Sequence, residues 1–243
     1  MKDFLSVRLK SLYTTSGKTT AVSQLFHDLR IRQPAYITEP AVRLFFPGEV
    51  GKETPVELRK KDVEKLRQKK DALAEYLKDV EMQMHDRFEN MERGKNKQHQ
   101  SWQENTKPFS SGVLTFSELA RNVDIDQLWE YSLKALKALG EKYKIKLLWV
   151  AMHTDETTPH FHYMFENLDA QTCRTFQSKL GRDGCSKLQT FFGEQLEPLG
   201  FRRGIKKKLS GTRHQDVMES HFIAREKLKA EVKTLEKGID TLS

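Results

Sequence analysis

Residues 145–165 constrain the fold more than any other stretch of the chain. Ile145-Lys-Leu-Leu-Trp-Val-Ala-Met152 and Tyr163-Met-Phe165 are rich in β-branched, aromatic and long apolar side chains, the composition of buried strands. Between them Asp155-Glu-Thr-Thr-Pro159 is turn chemistry, with a proline that a sheet accepts only at an edge or a strand start. The segment therefore reads as a β-hairpin. Successive strand side chains alternate faces, so His160 and His162 point the same way and Phe161 enters the core on the other side. His153 closes the preceding strand, where it can meet that pair across the ladder. Three of the chain's eight histidines thus converge within ten residues. With Asp155 and Glu156 close by, they form a set that suits a divalent metal and leaves positions open for substrate oxygens. Spacing alone leaves the chemistry open, because zinc hydrolases also use three histidines.

The rest of the composition narrows the classes. At 243 residues the chain can bury one sizeable core with helical additions, so one catalytic domain is expected rather than two. A formal net charge of +8 and a mean hydropathy of -0.69 fit a soluble protein that meets a polyanion. Cys173 and Cys185 match no metal spacing and no disulfide framework, in keeping with a reducing cytosol. No run of about eighteen apolar residues and no apolar N-terminal segment is present, so a cytoplasmic location without a membrane partner is expected.

The pattern His-x-Asp-Glu-x-Thr-Pro-His-hydrophobic-His at residues 153–162 resembles the signature of the MobV (Mob/Pre) family of plasmid mobilisation relaxases. The His-hydrophobic-His pair places that family among the HUH endonucleases. The resemblance implies that His153, His160 and His162 hold a divalent metal, Mn2+ or Mg2+, with Glu156 as a supporting acid. A second motif is similar: the family has His-Asn-x-Arg near its N-terminus, and this chain reads His27-Asp-Leu-Arg30. By that resemblance His27 is the nucleophile that attacks phosphorus, and Asp28 replaces the family's Asn. Tyr13 and Tyr36 are the next candidate nucleophiles. The resemblance covers about residues 1–52 and 112–210.

Taken in order, Asp3–Lys10 alternates as a strand and Thr19–Arg32 reads as a helix with Ala21, Val22, Leu25, Phe26 and Leu29 on one stripe. On a helical wheel His27 falls opposite that stripe, beside Thr20, Ser23, Gln24, Arg30 and Ile31. Residues 33–52 hold Pro34, Pro40 and Pro47 and read as irregular chain with a short apolar run at Val42–Phe46, where DNA could thread. Thr54-Pro55 opens a helix with no breaker before Gly94, about 60 Å long at 1.5 Å per residue. It is a DNA-clamping arm, a coiled-coil partner or, as favoured here, a helix packed on its own chain. A polar link runs to Pro108. Gly112–Ser117 is a strand, Ile125–Lys144 a helix and Ser186–Leu196 a short amphipathic helix.

The fold class expected is α+β: an antiparallel sheet of HUH relaxase type covered by helices, with a long helical insertion and a C-terminal helix. Residues 1–215 form the catalytic domain, with the insertion and its linker at 54–104. Residues 216–243 form the terminal helix, whose heptad seam at Leu228, Val232, Leu235, Ile239 and Leu242 offers a homodimer surface. Phosphate contacts are expected from Arg30, Arg202, Arg203, Lys206, Lys207 and Lys208.

The function expected is a relaxase that nicks one strand at a plasmid origin of transfer, single-stranded or hairpin DNA, through a covalent 5′-phosphoryl adduct on His27, and religates it. Such a nucleophile must be neutral, so activity should fall below roughly pH 6.5 unless burial shifts it. The alternatives are a replication initiator or transposase of the same superfamily with a tyrosine nucleophile, and a non-catalytic DNA-binding protein.

Overall fold

The computed structural model of the protein describes residues 4–32, 34–35, 37–46, 56–91 and 102–203. Seven strands form one open sheet: β1 (Phe4–Leu12), β2 (Val42–Phe45), β3 (Val56–Leu58), β4 (Phe109–Phe116), β5 (Leu147–His153), β6 (His160–Glu166) and β7 (Arg202–Arg203). Their order across the sheet is β3-β2-β5-β6-β4-β1-β7. All pairings are antiparallel except β1 with β7. The helices are α1 (Ala21–Asp28), α2 (Lys60–Arg67), α3 (Lys70–Glu89), α4 (Ile125–Tyr143), α5 (Phe176–Leu180) and α6 (Gly184–Gln195). This is the expected α+β class, with helices on both faces of a largely antiparallel sheet.

Alternation along the strands sorts the side chains into two cores. Leu5 and Val7 of β1, Val150 and Met152 of β5, and Phe161, Tyr163 and Phe165 of β6 face α4, α5 and α6. Leu12, Trp149, Ala151 and Met164 face the other way, against Ala21 and Leu25 of α1 and Leu73, Leu77, Val80 and Met84 of α3. Each such buried aliphatic side chain contributes about 1.5–3 kcal/mol, so the two stripes hold α1 and α3 on the same face as His160 and His162. On the opposite face Gly112 pairs with Tyr163. A Cβ at residue 112 would stand 2.1 Å from the Tyr163 ring, so only glycine lets that ring lie across the strand.

The continuous helix expected from residue 54 is not observed. Val56–Leu58 instead forms the edge strand on β2, and the helical remainder bends between α2 and α3, where the Lys69 N–H donates to the Leu66 carbonyl. A rod of about 60 Å overshoots a sheet whose strands have at most nine residues. The bend keeps both Val63 and Leu77 buried, and α3 packs on its own chain. Val42–Phe45, expected as irregular chain, is a sheet strand paired to β5. Its Arg43 is taken up by Glu57 and Asp126 and lies 5.8 Å over the Trp129 ring. The helix expected at 19–32 is shorter, because Arg30 adopts a left-handed φ of 57° just past its end. The terminal helix at 216–243, the domain boundary at 215 and the linker at 92–101 lie outside the described residues.

Candidate active site

Two elements build the site. The hairpin β5–β6 delivers His153 paired with His160, and His162 one alternation further along β6. The first helix delivers His27. Thr20 caps α1 by accepting from the Ser23 N–H, while the Ser23 hydroxyl reciprocates at the Thr20 N–H. The buried face of α1 is Ala21, Gln24, Leu25 and Asp28. That corrects the wheel: Gln24, assigned with His27 to the side away from the apolar stripe, is buried at the histidines, on the same helix face as Ala21, Leu25 and Asp28. The His27 ring consequently stands 5.0 Å from His162 and 5.7 Å from His153. His153 lies 5.1 Å from His160 and 4.7 Å from His162.

The predicted ligand set divides into two overlapping groups around His153. Ligand atoms of His27, His153 and His162 fall within 4.8 Å of one another, and so do those of His153, Glu156 and His160. Second partners fix which nitrogen each ring can offer. A carbonyl only accepts, so His153 Nε2–H donates to the Asp28 carbonyl at 2.9 Å and His160 Nδ1–H to the Thr158 carbonyl at 3.1 Å. His153 Nδ1 is then left buried without a hydrogen-bond partner, and a bare imidazole lone pair facing two other imidazoles fits a divalent metal. His162 Nδ1 lies 3.3 Å from Asp28 Oδ1, and Gln24 Nε2 is 3.4 Å from the same nitrogen.

Burial sets the protonation of the cluster. It lowers His27 to about 4, with the Arg30 charge acting in the same direction. It holds His153 and His162 well below the ordinary value, reinforced by Arg30 and by the neighbouring histidines. All three are neutral at pH 7, the state in which an imidazole ligates or attacks. Asp28 is raised to about 7 by burial, against hydrogen bonds from Trp149 and Gln24.

Arg30 does not reach the surface where a phosphate contact was expected. Its side chain is wholly buried and forks onto Asp155, Nε to Oδ2 at 2.9 Å and NH2 to Oδ1 at 2.5 Å, with NH2 also 2.7 Å from Glu156 Oε1. Asp155 further accepts the Ala41 N–H at 3.1 Å. Arg30 therefore pins the hairpin turn and orients Glu156, whose side chain is 26% exposed. Arg203 is likewise occupied, donating to Thr190 and Ser186 of α6, whereas Arg202 is exposed. Lys206, Lys207, Lys208 and Tyr36 lie outside the described residues. Tyr13 sits under Lys107 Nζ, 5.3 Å away.

Sequence reasoning missed Gln24, Trp149 and Lys10. Trp149 donates from Nε1 to Asp28 Oδ2 at 2.9 Å, and the one visible signal was that a tryptophan inside a strand needs an acceptor for its N–H. Lys10 shares its strand face with exposed Arg8, and its charge acts on both His27 and Asp28.

An open sheet with a His-hydrophobic-His strand beside an acidic turn, met by a histidine from the first helix, makes this an α+β protein with a histidine cluster at one end of its sheet. The chain belongs to the plasmid recombination enzyme family (Mob_Pre), whose model matches residues 48–221. That match runs through the helical segment at 60–89 that the motif resemblance left out, and begins after the His27 motif. A 65 kDa protein of Zymomonas mobilis subsp. mobilis is 35% identical over 101 residues, 41% of this chain but 16% of that protein's length. Among solved structures, the MobM relaxase domain (MOBV; Mob_Pre) bound to plasmid pMV158 oriT DNA, in a Mn-bound crystal structure, has a TM-score of 0.59 at 12% identity, covering 90% of this chain and 98% of that one. The same domain with 26-nucleotide oriT DNA gives a TM-score of 0.52 at 13% identity, covering 89% and 98%. At such identities the likeness is one of fold.

Proposed function

We propose that the protein is a DNA relaxase that nicks one strand at a plasmid origin of transfer, stays joined to the 5′-phosphate and later religates it, initiating mobilisation. The observation that carries this reading is the meeting of four histidine rings and Glu156 at one end of the sheet, with His27 held neutral by burial. Family membership and the DNA and manganese of the MobM complexes support it.

In the mechanism, His153, His160 and His162 would hold Mn2+ or Mg2+, His153 through its unpartnered Nδ1. The chemistry such an ion supplies is withdrawal of charge from a non-bridging phosphate oxygen. The neutral ring of His27 attacks phosphorus. A P–N bond forms, the P–O3′ bond breaks, and the departing oxygen takes a proton from water to become a free 3′-hydroxyl. The adduct keeps the bond energy for the reverse step. Arg30 holds Glu156 at the rim, where its carboxylate accepts a proton or ligates. Arg8 and Lys10, on the strand face beside the histidines, together with Arg202 and the basic run 206–208, contact the phosphates of a single strand. The protein acts in the cytoplasm, where plasmid DNA lies, and its heptad seam at 228–242 supports pairing with a second copy.

Incubation with a supercoiled plasmid carrying the candidate origin tests the reading. Mn2+ should give nicked circles that EDTA abolishes, and His27→Ala should bind the DNA without forming a denaturation-resistant complex. Equal DNA binding with and without metal, and no nicking with either, would favour the non-catalytic alternative. A second reading has one observation behind it, the proximity of His27 to His153 and His162, which would make His27 a ligand. In that case His27→Ala loses metal affinity as well as the covalent complex.

A further inference from the structure

Asp28 is the one motif position at which this chain departs from the family pattern, and two N–H groups and a ring nitrogen converge on it. Trp149 Nε1–H donates to Oδ2 at 2.9 Å and Gln24 Nε2–H to Oδ1 at 2.7 Å, while His162 Nδ1 stands 3.3 Å from Oδ1. The residue's backbone carbonyl, left without an intrahelical partner at the end of α1, accepts from His153 Nε2–H. Its side chain is wholly buried, so the carboxylate has no water to accept from instead.

We propose that Asp28 is a positioning residue that sets the ring atoms two histidines present to the metal, Nδ1 of His153 and Nε2 of His162, and that Trp149 makes a carboxylate rather than an amide necessary there. This rests on the metal reading above and adds to it a role for residues outside the ligand set. Each buried N–H here needs an oxygen of its own to meet. A carboxylate is acceptor-only at both oxygens and can take all three N–H groups. An asparagine has one oxygen. If it faces His162 and Gln24, its NH2 meets the indole N–H, donor against donor; if it faces Trp149, its NH2 meets Gln24 and His162 Nδ1, and the ring loses its acceptor. Without an N–H on His162 Nδ1, the ring and Asp28 Oδ1 would oppose lone pairs at 3.3 Å, so the Nδ1–H tautomer follows from the geometry, leaving Nε2 to the metal. The competing arrangement has Gln24 donating to His162 Nδ1 across 3.4 Å, which places the ring proton on Nε2.

Two measurements on the full chain decide it, both at pH 8, above the value of about 7 to which burial raises Asp28. The first is the nitrogen-15 signature of the His162 ring in metal-free protein, with His162→Gln for assignment. The proposal expects Nδ1–H in the wild type and loss of that single tautomer in Asp28→Asn; an Nε2–H ring in the wild type overturns it. The second is Mn2+ affinity by titration of wild type, Asp28→Asn, Trp149→Phe and the double variant. Asp28→Asn should bind about 10–100-fold more weakly. The double variant, relieved of the indole donor, should recover to within a few-fold of Trp149→Phe. Unchanged affinity in Asp28→Asn, or a double variant no better than Asp28→Asn, overturns the proposal. Should the wild type bind no Mn2+, the metal reading fails, while the tautomer measurement still decides what Asp28 does to His162.

Discussion

Arg30 leaves the end of α1 in a left-handed backbone conformation and spends its guanidinium on Asp155 and Glu156, far from the DNA contact its charge suggested. Removing one partner of a buried ion pair costs about 3–5 kcal/mol, because the other charge stays buried and uncompensated. Arg30→Met should therefore lower the urea midpoint strongly, whereas Arg202→Met, at an exposed position, should leave it nearly unchanged. The histidines carry a second prediction. In the unfolded chain they take up protons below their ordinary value of 6.5, while in the fold burial keeps His27 neutral to about 4 and His153 and His162 neutral as well. The unfolded state then binds more protons, so stability present above pH 6.5 is lost as pH falls toward 4. Asp28 opposes this, since its value is raised from 3.8 to about 7 and it gains a proton in the fold over that window. Three groups outweigh one. Metal-free protein in EDTA should unfold at lower urea at pH 5 than at pH 7.5, and an equal or higher midpoint at pH 5 would contradict the account. Glu156 and the four histidines were legible in the sequence because the motif and strand alternation name them. Gln24 was not, because a helical wheel gives angles within a helix and says nothing of how the helix lies on the sheet, and Trp149 was not, because a strand tryptophan's need for an acceptor does not name Asp28 as that acceptor.

At the scale of elements, the hairpin could be read because Phe161 between His160 and His162 fixes the alternation, and Phe161 is fully buried on the face covered by α4. The helix at 125–143 was equally plain, with Asp124 capping Asp126 and Gln127 and Leu128, Leu133, Leu136 and Leu139 on one stripe. The strand at 42–45 was hidden, since its brevity and the flanking Pro40 and Pro47 resemble loop and only its pairing with neighbouring strands makes it one. The bend between α2 and α3 was hidden too, because no residue at 66–70 breaks a helix and only the extent of the sheet demands the turn. Tertiary context decided both. The β4–β6 pairing carries its own prediction. Gly112→Ala would push a methyl into the Tyr163 ring, and overpacking of this kind costs about 1–3 kcal/mol. Thermal unfolding should show the loss, with partial recovery in Gly112→Ala combined with Tyr163→Leu; an unshifted melting temperature in the single variant would contradict this packing.

For the whole molecule, the histidine face of the sheet carries exposed Arg8 and Lys10 on a chain of net charge +8. If a single strand of DNA lies there, each phosphate contact contributes about 0.7 to the slope of log affinity against log salt. Arg8→Gln with Lys10→Gln should lower that slope by about 1.4 and weaken binding across sequences alike. An unchanged slope would move the strand elsewhere. Among the described residues no helix is long and apolar enough to cross a membrane. We propose that His27, which α1 brings beside the hairpin histidines, is the residue that joins protein to DNA. The direct measurement is to incubate the protein with Mn2+ and a supercoiled plasmid bearing its origin, denature, digest, and locate the residual nucleotide by mass spectrometry. A 5′-phosphoryl adduct on His27 is the expected result. An adduct on Tyr13 or Tyr36, or clean cleavage with no adduct, would contradict it.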